Sequence, residues 1–198
     1  MKTKIVLLIS LSVMGAMIVF ALVFPAALEK MMYKPGLYSH VLFAHVLAVT
    51  LFFSNAVIGM VWEARSLTSG RNEVILHTYE TVSWLDAHFS SPMIILSVTA
   101  GIMLSFGMGG IWYTGWLSLS FLLFLFSGAV WVISDIPTQY RVKRLLAEVD
   151  PSAQALPAEL LRLLKMRLWI SLAGVVPLFV VFILMVYKPV IVPVAQWF

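Results

Sequence analysis

The residues of this chain best suited to chemistry are few, and most stand in or beside long apolar runs. His40, His45 and Asn55 fall within one run, and Glu63 lies at its end. At about 100° per residue, His45, Phe52, Gly59 and Glu63 form one helical stripe, with Ala48, Asn55 and Ala56 beside it. Its small residues let a neighbouring helix come close, so this face is expected to look into a bundle. His45 lies about 8 Å below the edge of the run, counting ~1.5 Å per residue. A neutral imidazole there could ligate haem iron or copper, or relay a proton. It could equally do no more than hydrogen-bond a neighbouring helix. His40 reads as a solvated interfacial side chain. With His45, Met31 and Met32 it also makes a candidate entrance for copper, which suits imidazole and thioether donors. Lys188 closes the last apolar run, where it could complete a site with His45 or snorkel to the headgroups. His77 and His88 fall toward the opposite face, so neither can partner His45.

A second group gathers near the other end of the runs: Asp86, His88, Asp135, Gln139, Arg141 and Arg167. Ionisable groups at such depths are costly and point to function, or here to an Asp–Arg lock that fixes the topology.

The elements that must carry these residues are membrane helices. Of 198 residues 62% are hydrophobic and only 11% charged, with a mean hydropathy of +1.00. A soluble domain has about 45–50% apolar residues and about 25% charged. Lipid is therefore the solvent for most of this surface. The expected fold is all-α: a polytopic bundle of five transmembrane helices, with a four-helix core in residues 38–198 and an N-terminal anchor and outer loop in residues 1–37. The spans read as Ile5–Leu28, His40–Trp62, His88–Met108, Ile111–Ile133 and Leu168–Tyr187. Gly107–Gly110 reads as a tight turn that makes the third and fourth spans a hairpin. The first run has a rival reading as a signal peptide, but it exceeds the usual h-region of about 7–15 residues.

Ten of the thirteen Lys and Arg collect on one side of these spans: Lys2, Lys4, Arg65, Arg71, Arg141, Lys143, Arg144, Arg162, Lys165 and Arg167. Lys30, Lys34 and Lys188 fall on the other. The positive-inside rule puts the first side, with the N-terminus, in the cytoplasm and the C-terminus in the periplasm. The basic pI near 9.5 is thereby explained by topology, and no nucleic-acid partner is expected. The bilayer is the expected partner, joined by a membrane protein or a second copy docked on the small-residue faces. With no Cys, disulfides, thiolate catalysis and Cys-based metal centres are excluded. Phosphate loops and the H-E-x-x-H and G-x-S-x-G motifs do not occur. Of the polar segments, TQYRVKRLLAEVD is broken by Asp150-Pro151, and Pro157–Arg167 is amphipathic and basic. The latter suits a helix on the anionic leaflet, or one that runs on into the fifth span.

From Tyr38 onward the chain resembles a bacterial family of predicted integral membrane proteins catalogued as a domain of unknown function. The matching pieces are HVLFAHVLA with His45, SWLDAHFSSP with Trp84, Asp86, Phe89 and Pro92, and TAGIML with Gly101. Pro137, Gln139, Arg141, Trp169, Gly174, Pro177 and the closing MVYKP follow in order. That family is distantly similar to the J-type protoporphyrinogen oxidases and to CopD-like copper-resistance membrane proteins. The resemblance implies a b-type haem with His45 as axial ligand and the terminal Lys188-Pro189 nearby. Those oxidases carry a Lys in the span after the Gly-rich turn, where this chain has Gly115–Ser120 without one. Three functions stay open at this point: haem-associated redox chemistry, a copper or small-molecule permease, and a non-catalytic subunit or assembly partner.

Overall fold

A computed structural model describes residues 3–32, 34, 36–149 and 156–197. Among these the chain is helical with no strand. The order is α1 (Thr3–Val23), α2 (Pro25–Met32), α3 (Leu37–Thr68), α4 (Asn72–Leu85), α5 (Ser91–Phe106), α6 (Gly115–Val130), α7 (Ile136–Ala147) and α8 (Ala158–Tyr187). A π-turn, Asp86–Ser90, joins α4 to α5, and another, Trp131–Asp135, joins α6 to α7. Four continuous rods result: Leu37–Thr68, Asn72–Phe106, Gly115–Ala147 and Ala158–Tyr187, each long and apolar enough to cross a membrane. Lys2 and the Asp150-Pro151 break lie outside the described residues.

Both π-turns end two residues before a proline, Pro92 and Pro137. A proline removes one backbone donor and its ring presses on the carbonyl four residues back. Widening the turn relieves that clash. The Ser91 amide duly bonds the Asp86 carbonyl, five residues back, and Ile136 bonds Trp131 in the same way. Asp86 and Asp135 therefore stand on distorted turns, not on regular helix.

The first run departs from the straight span Ile5–Leu28. It bends by 87° between α1 and α2. Phe24 precedes Pro25, and a residue before proline is pushed away from helical geometry. The bent pair makes a fifth span only if its two parts count as one. The Gly107–Gly110 turn is also longer than the sequence suggests. Gly109 and Gly110 adopt φ of 89° and 90°, but the chain keeps turning to Thr114, and α6 starts at Gly115 rather than at Ile111.

The rods outrun the bilayer. A crossing needs about 20 residues, and each rod has 30 or more. The surplus gathers at the end where Thr68, Asn72, Ala147 and Ala158 lie, and forms a small helical head. Its core buries Ile75, Tyr79, Val142, Leu160, Leu163 and Leu164. Pro157–Arg167 thus does not lie flat on a leaflet: its leucines face other helices, because α8 runs straight from head to membrane. The head carries the basic clusters, and the opposite, tail end carries Lys30, Lys34 and Lys188.

Within the membrane region α3 packs along α5, and α6 along α8. The two pairs meet mainly where α3 touches α8, while α5 and α6 make almost no direct contact. Met14 and Ile18 of α1 share one hydrophobic cluster with Ile94 of α5 and Phe124 of α6, so α1 lies beside the open α5–α6 seam. The interior between the two pairs is consequently not filled, and the functional side chains border that space.

Candidate functional site

In the tail half a cavity of about 390 Å³ separates the two helix pairs. Its walls are aliphatic and aromatic, with His45, Ser97, Trp116 and Lys188 among the polar exceptions. His45 comes from α3, whose face buries Ala48, Phe52, Gly59 and Glu63. Its Nδ1 lies 2.8 Å from the Ser97 carbonyl of α5. A carbonyl only accepts, so Nδ1 carries the proton of the neutral ring and Nε2 keeps the lone pair. Among the described residues Nε2 has no hydrogen-bond partner. The imidazole reaches α5 because residue 101 has no side chain. A Cβ on Gly101 would stand 2.9 Å from His45 Cε1 and 3.3 Å from Nδ1.

Lys188 lies on the same cavity. It is the first residue after α8, in a left-handed conformation with φ 45°, and its amide bonds the Leu184 carbonyl. Its ammonium stands 5.7 Å from the centre of the Trp116 ring, which holds it at the cavity rim. His40 is exposed near the start of α3. Five residues from His45, it points about 140° away around the helix and does not line the cavity. Met31 is exposed while Met32 is buried. No group of three or more His, Asp or Glu among the described residues is placed to hold a metal ion.

At the boundary with the head, four chains of contact converge on Arg167. Nη1 is 3.1 Å from Glu63 Oε1, Nη2 is 3.4 Å from Asp86 Oδ2, and Nε is 3.3 Å from Asp135 Oδ1. The Gln139 amide donates to Asp135 at 2.8 Å and to Asp86 at 3.3 Å. The guanidinium also lies over the Tyr79 ring, 5.4 Å from its centre. Twenty residues separate Arg167 from Tyr187, about 30 Å of helix. That is about the thickness of the hydrocarbon core, so one bilayer thickness of α8 separates the cluster from the tail end. Asp86, Asp135 and Gln139 meet here. His88 does not: its ring bonds the Trp84 carbonyl at 3.0 Å and stacks on the Trp84 indole. Arg141 pairs instead with Glu159 on the exposed surface of the head.

Glu63 is the member of this cluster that sequence spacing does not supply. Its stripe with His45 is legible, but its partner lies 104 residues away, and no local pattern encodes that pairing. Ser97 and Gly101 have a fainter signal: small residues four apart, on a helix that another helix must approach closely.

A second cavity, of about 320 Å³, runs from this cluster toward the membrane centre. Both cavities are bordered by Phe52, Phe124 and Leu178, which separate them. Asn55 donates to Ser90 at 2.8 Å on the wall of the head-side cavity.

The model of one protein family, described as predicted integral membrane protein (DUF2269), matches residues 39–189. No curated protein and no solved structure matches the chain.

Proposed function

The chain belongs to this family of predicted integral membrane proteins, and on that premise we propose that its tail-half cavity holds a flat, apolar prosthetic group of the haem type. The observation that carries the reading is the setting of His45: Nδ1 tied to the Ser97 carbonyl, Nε2 without a partner among the described residues, and the ring on the wall of a largely apolar cavity. A backbone carbonyl on one nitrogen is the usual device for fixing the tautomer and aim of a metal-binding imidazole. The donor set fits such a group. The His45 imidazole could ligate its metal, the apolar walls would exclude water, and the Lys188 ammonium at the rim would be a counter-charge for the group's carboxylates. Haem bound there would supply one-electron redox chemistry.

We also propose that the membrane is a bacterial inner membrane. The head, which carries most of the Lys and Arg, then faces the cytoplasm and the tail end faces the periplasm. Absorbance spectra of the protein purified in mild detergent, oxidised and then dithionite-reduced, test the proposal. A Soret band that shifts on reduction and vanishes in His45→Ala is expected. A flat visible spectrum from folded protein made in haem-supplemented cells would end the proposal.

A further inference from the structure

The carboxylates that border the head-side cavity outnumber the cations beside them. Glu63, Asp86 and Asp135 contribute three carboxylates, and Arg167 contributes one guanidinium. Gln139 serves both aspartates and does not reach Glu63. The Glu63 side chain is 2% exposed, borders the cavity, and its Oε1 takes part in no hydrogen bond among the described residues. The 3.1 Å approach of Arg167 Nη1 is thus an ionic contact without the alignment of a hydrogen bond. A buried carboxylate with unused acceptor capacity is expensive unless a cation or a proton completes it.

The space beside Glu63 describes what that cation would be. A void of about 320 Å³ is far larger than a bare ion. The carboxylates are not arranged to share a metal either, since Arg167 stands in contact with all three. Away from the cluster the walls are mostly apolar, through Ile94, Phe52, Phe124 and Leu178, with Asn55, Ser90, Ser127 and Ser171 as the small polar residues among them. We infer that this cavity is a binding site for an amphiphilic organic monocation. A primary ammonium group would donate to Glu63 and complete the cluster, and a hydrocarbon or aromatic body would extend toward Phe52 and Phe124. Met14 and Ile18 of α1 border the same cavity, on the seam where α5 and α6 barely touch. A lipid-soluble amine would enter from the bilayer along that seam.

The site is independent of the haem proposal, and its test separates the two. The full chain in lipid nanodiscs is titrated with tritiated 4-phenylbutylamine, with protein-free nanodiscs subtracted and neutral 4-phenylbutanol as competitor. Saturable amine binding that the alcohol fails to displace is expected, unchanged in His45→Ala. Glu63→Gln should weaken it roughly tenfold or more, the effect of losing a charge-assisted hydrogen bond. Phe124→Trp, which fills the apolar end and leaves every charge in place, should weaken it too. It decides the matter alone if Glu63→Gln does not fold. No saturable binding above empty nanodiscs, equal displacement by the alcohol, or wild-type affinity in the folded variants would overturn the inference.

Discussion

Replacing Arg167 by Met removes the positive centre of the head-side cluster while keeping an unbranched apolar side chain. The consequence follows from the contacts. Arg167 is 3% exposed and lies within 3.1–3.4 Å of carboxylates from three different helical rods. Without it Asp86 and Asp135 retain only the Gln139 amide, and Glu63 retains no cation. Removing one partner of a buried ion pair costs about 3–5 kcal/mol, because the other charge stays buried without compensation. Here three carboxylates face one another, so the upper end of that range is expected. Folded domains hold about 5–15 kcal/mol in total, so Arg167→Met should unfold at a markedly lower fraction of SDS in mixed micelles. The seven tryptophans report the transition by fluorescence. Adding Glu63→Gln removes one of the stranded charges and should recover about 1–3 kcal/mol, a coupling typical of residues in one network. An Arg167→Met protein within about 1 kcal/mol of wild type, or strict additivity in the double mutant, would refute the view that this cluster ties the rods together.

Three further outcomes follow from close contacts elsewhere. A Cβ on Gly115 would collide with the Ile191 carbonyl oxygen, so Gly115→Ala should detach the C-terminal segment. Its mark would be faster hydrogen exchange at Ala195, whose amide bonds the Trp112 carbonyl in the native fold. Leu164 is fully buried in the head core, and Leu164→Ala should cost about 2–5 kcal/mol in the same SDS titration. Gly101→Ala would force His45 off the Ser97 carbonyl. A histidine resonance whose Nδ1 proton loses its hydrogen-bonded shift in 15N NMR, in a protein that still folds, is the expected result.

The membrane helices are legible in the sequence because lipid-exposed surface demands long apolar runs, and the stripe from Ala48 to Glu63 is legible because helix period alone sets it. The head is not, since span-length apolar runs do not reveal amphipathic helices that pair with one another. Leu160, Leu163 and Leu164 read as a membrane-facing stripe until Ile75, Tyr79 and Val142 are found against them. The break in the first run had a visible cause in Pro25, yet nothing in the local sequence sets its 87° angle. Around the two cavities, His45, Lys188, Asp86 and Asp135 were readable as polar residues at opposite ends of the apolar runs. The Ser97 carbonyl on His45 and the Glu63–Arg167 contact were not. Both join separate helices, and pairing between helices is set by packing that single-sequence periodicity does not contain.

The most direct test of the proposed function is a haemin titration of the full chain in nanodiscs, wild type against His45→Ala, followed at the Soret band. Saturation at one haem per chain in the wild type, with binding lost or at least roughly tenfold weaker in a folded His45→Ala protein, is the predicted result. Superimposable titrations of the two proteins, or no saturable Soret change in either, would contradict it.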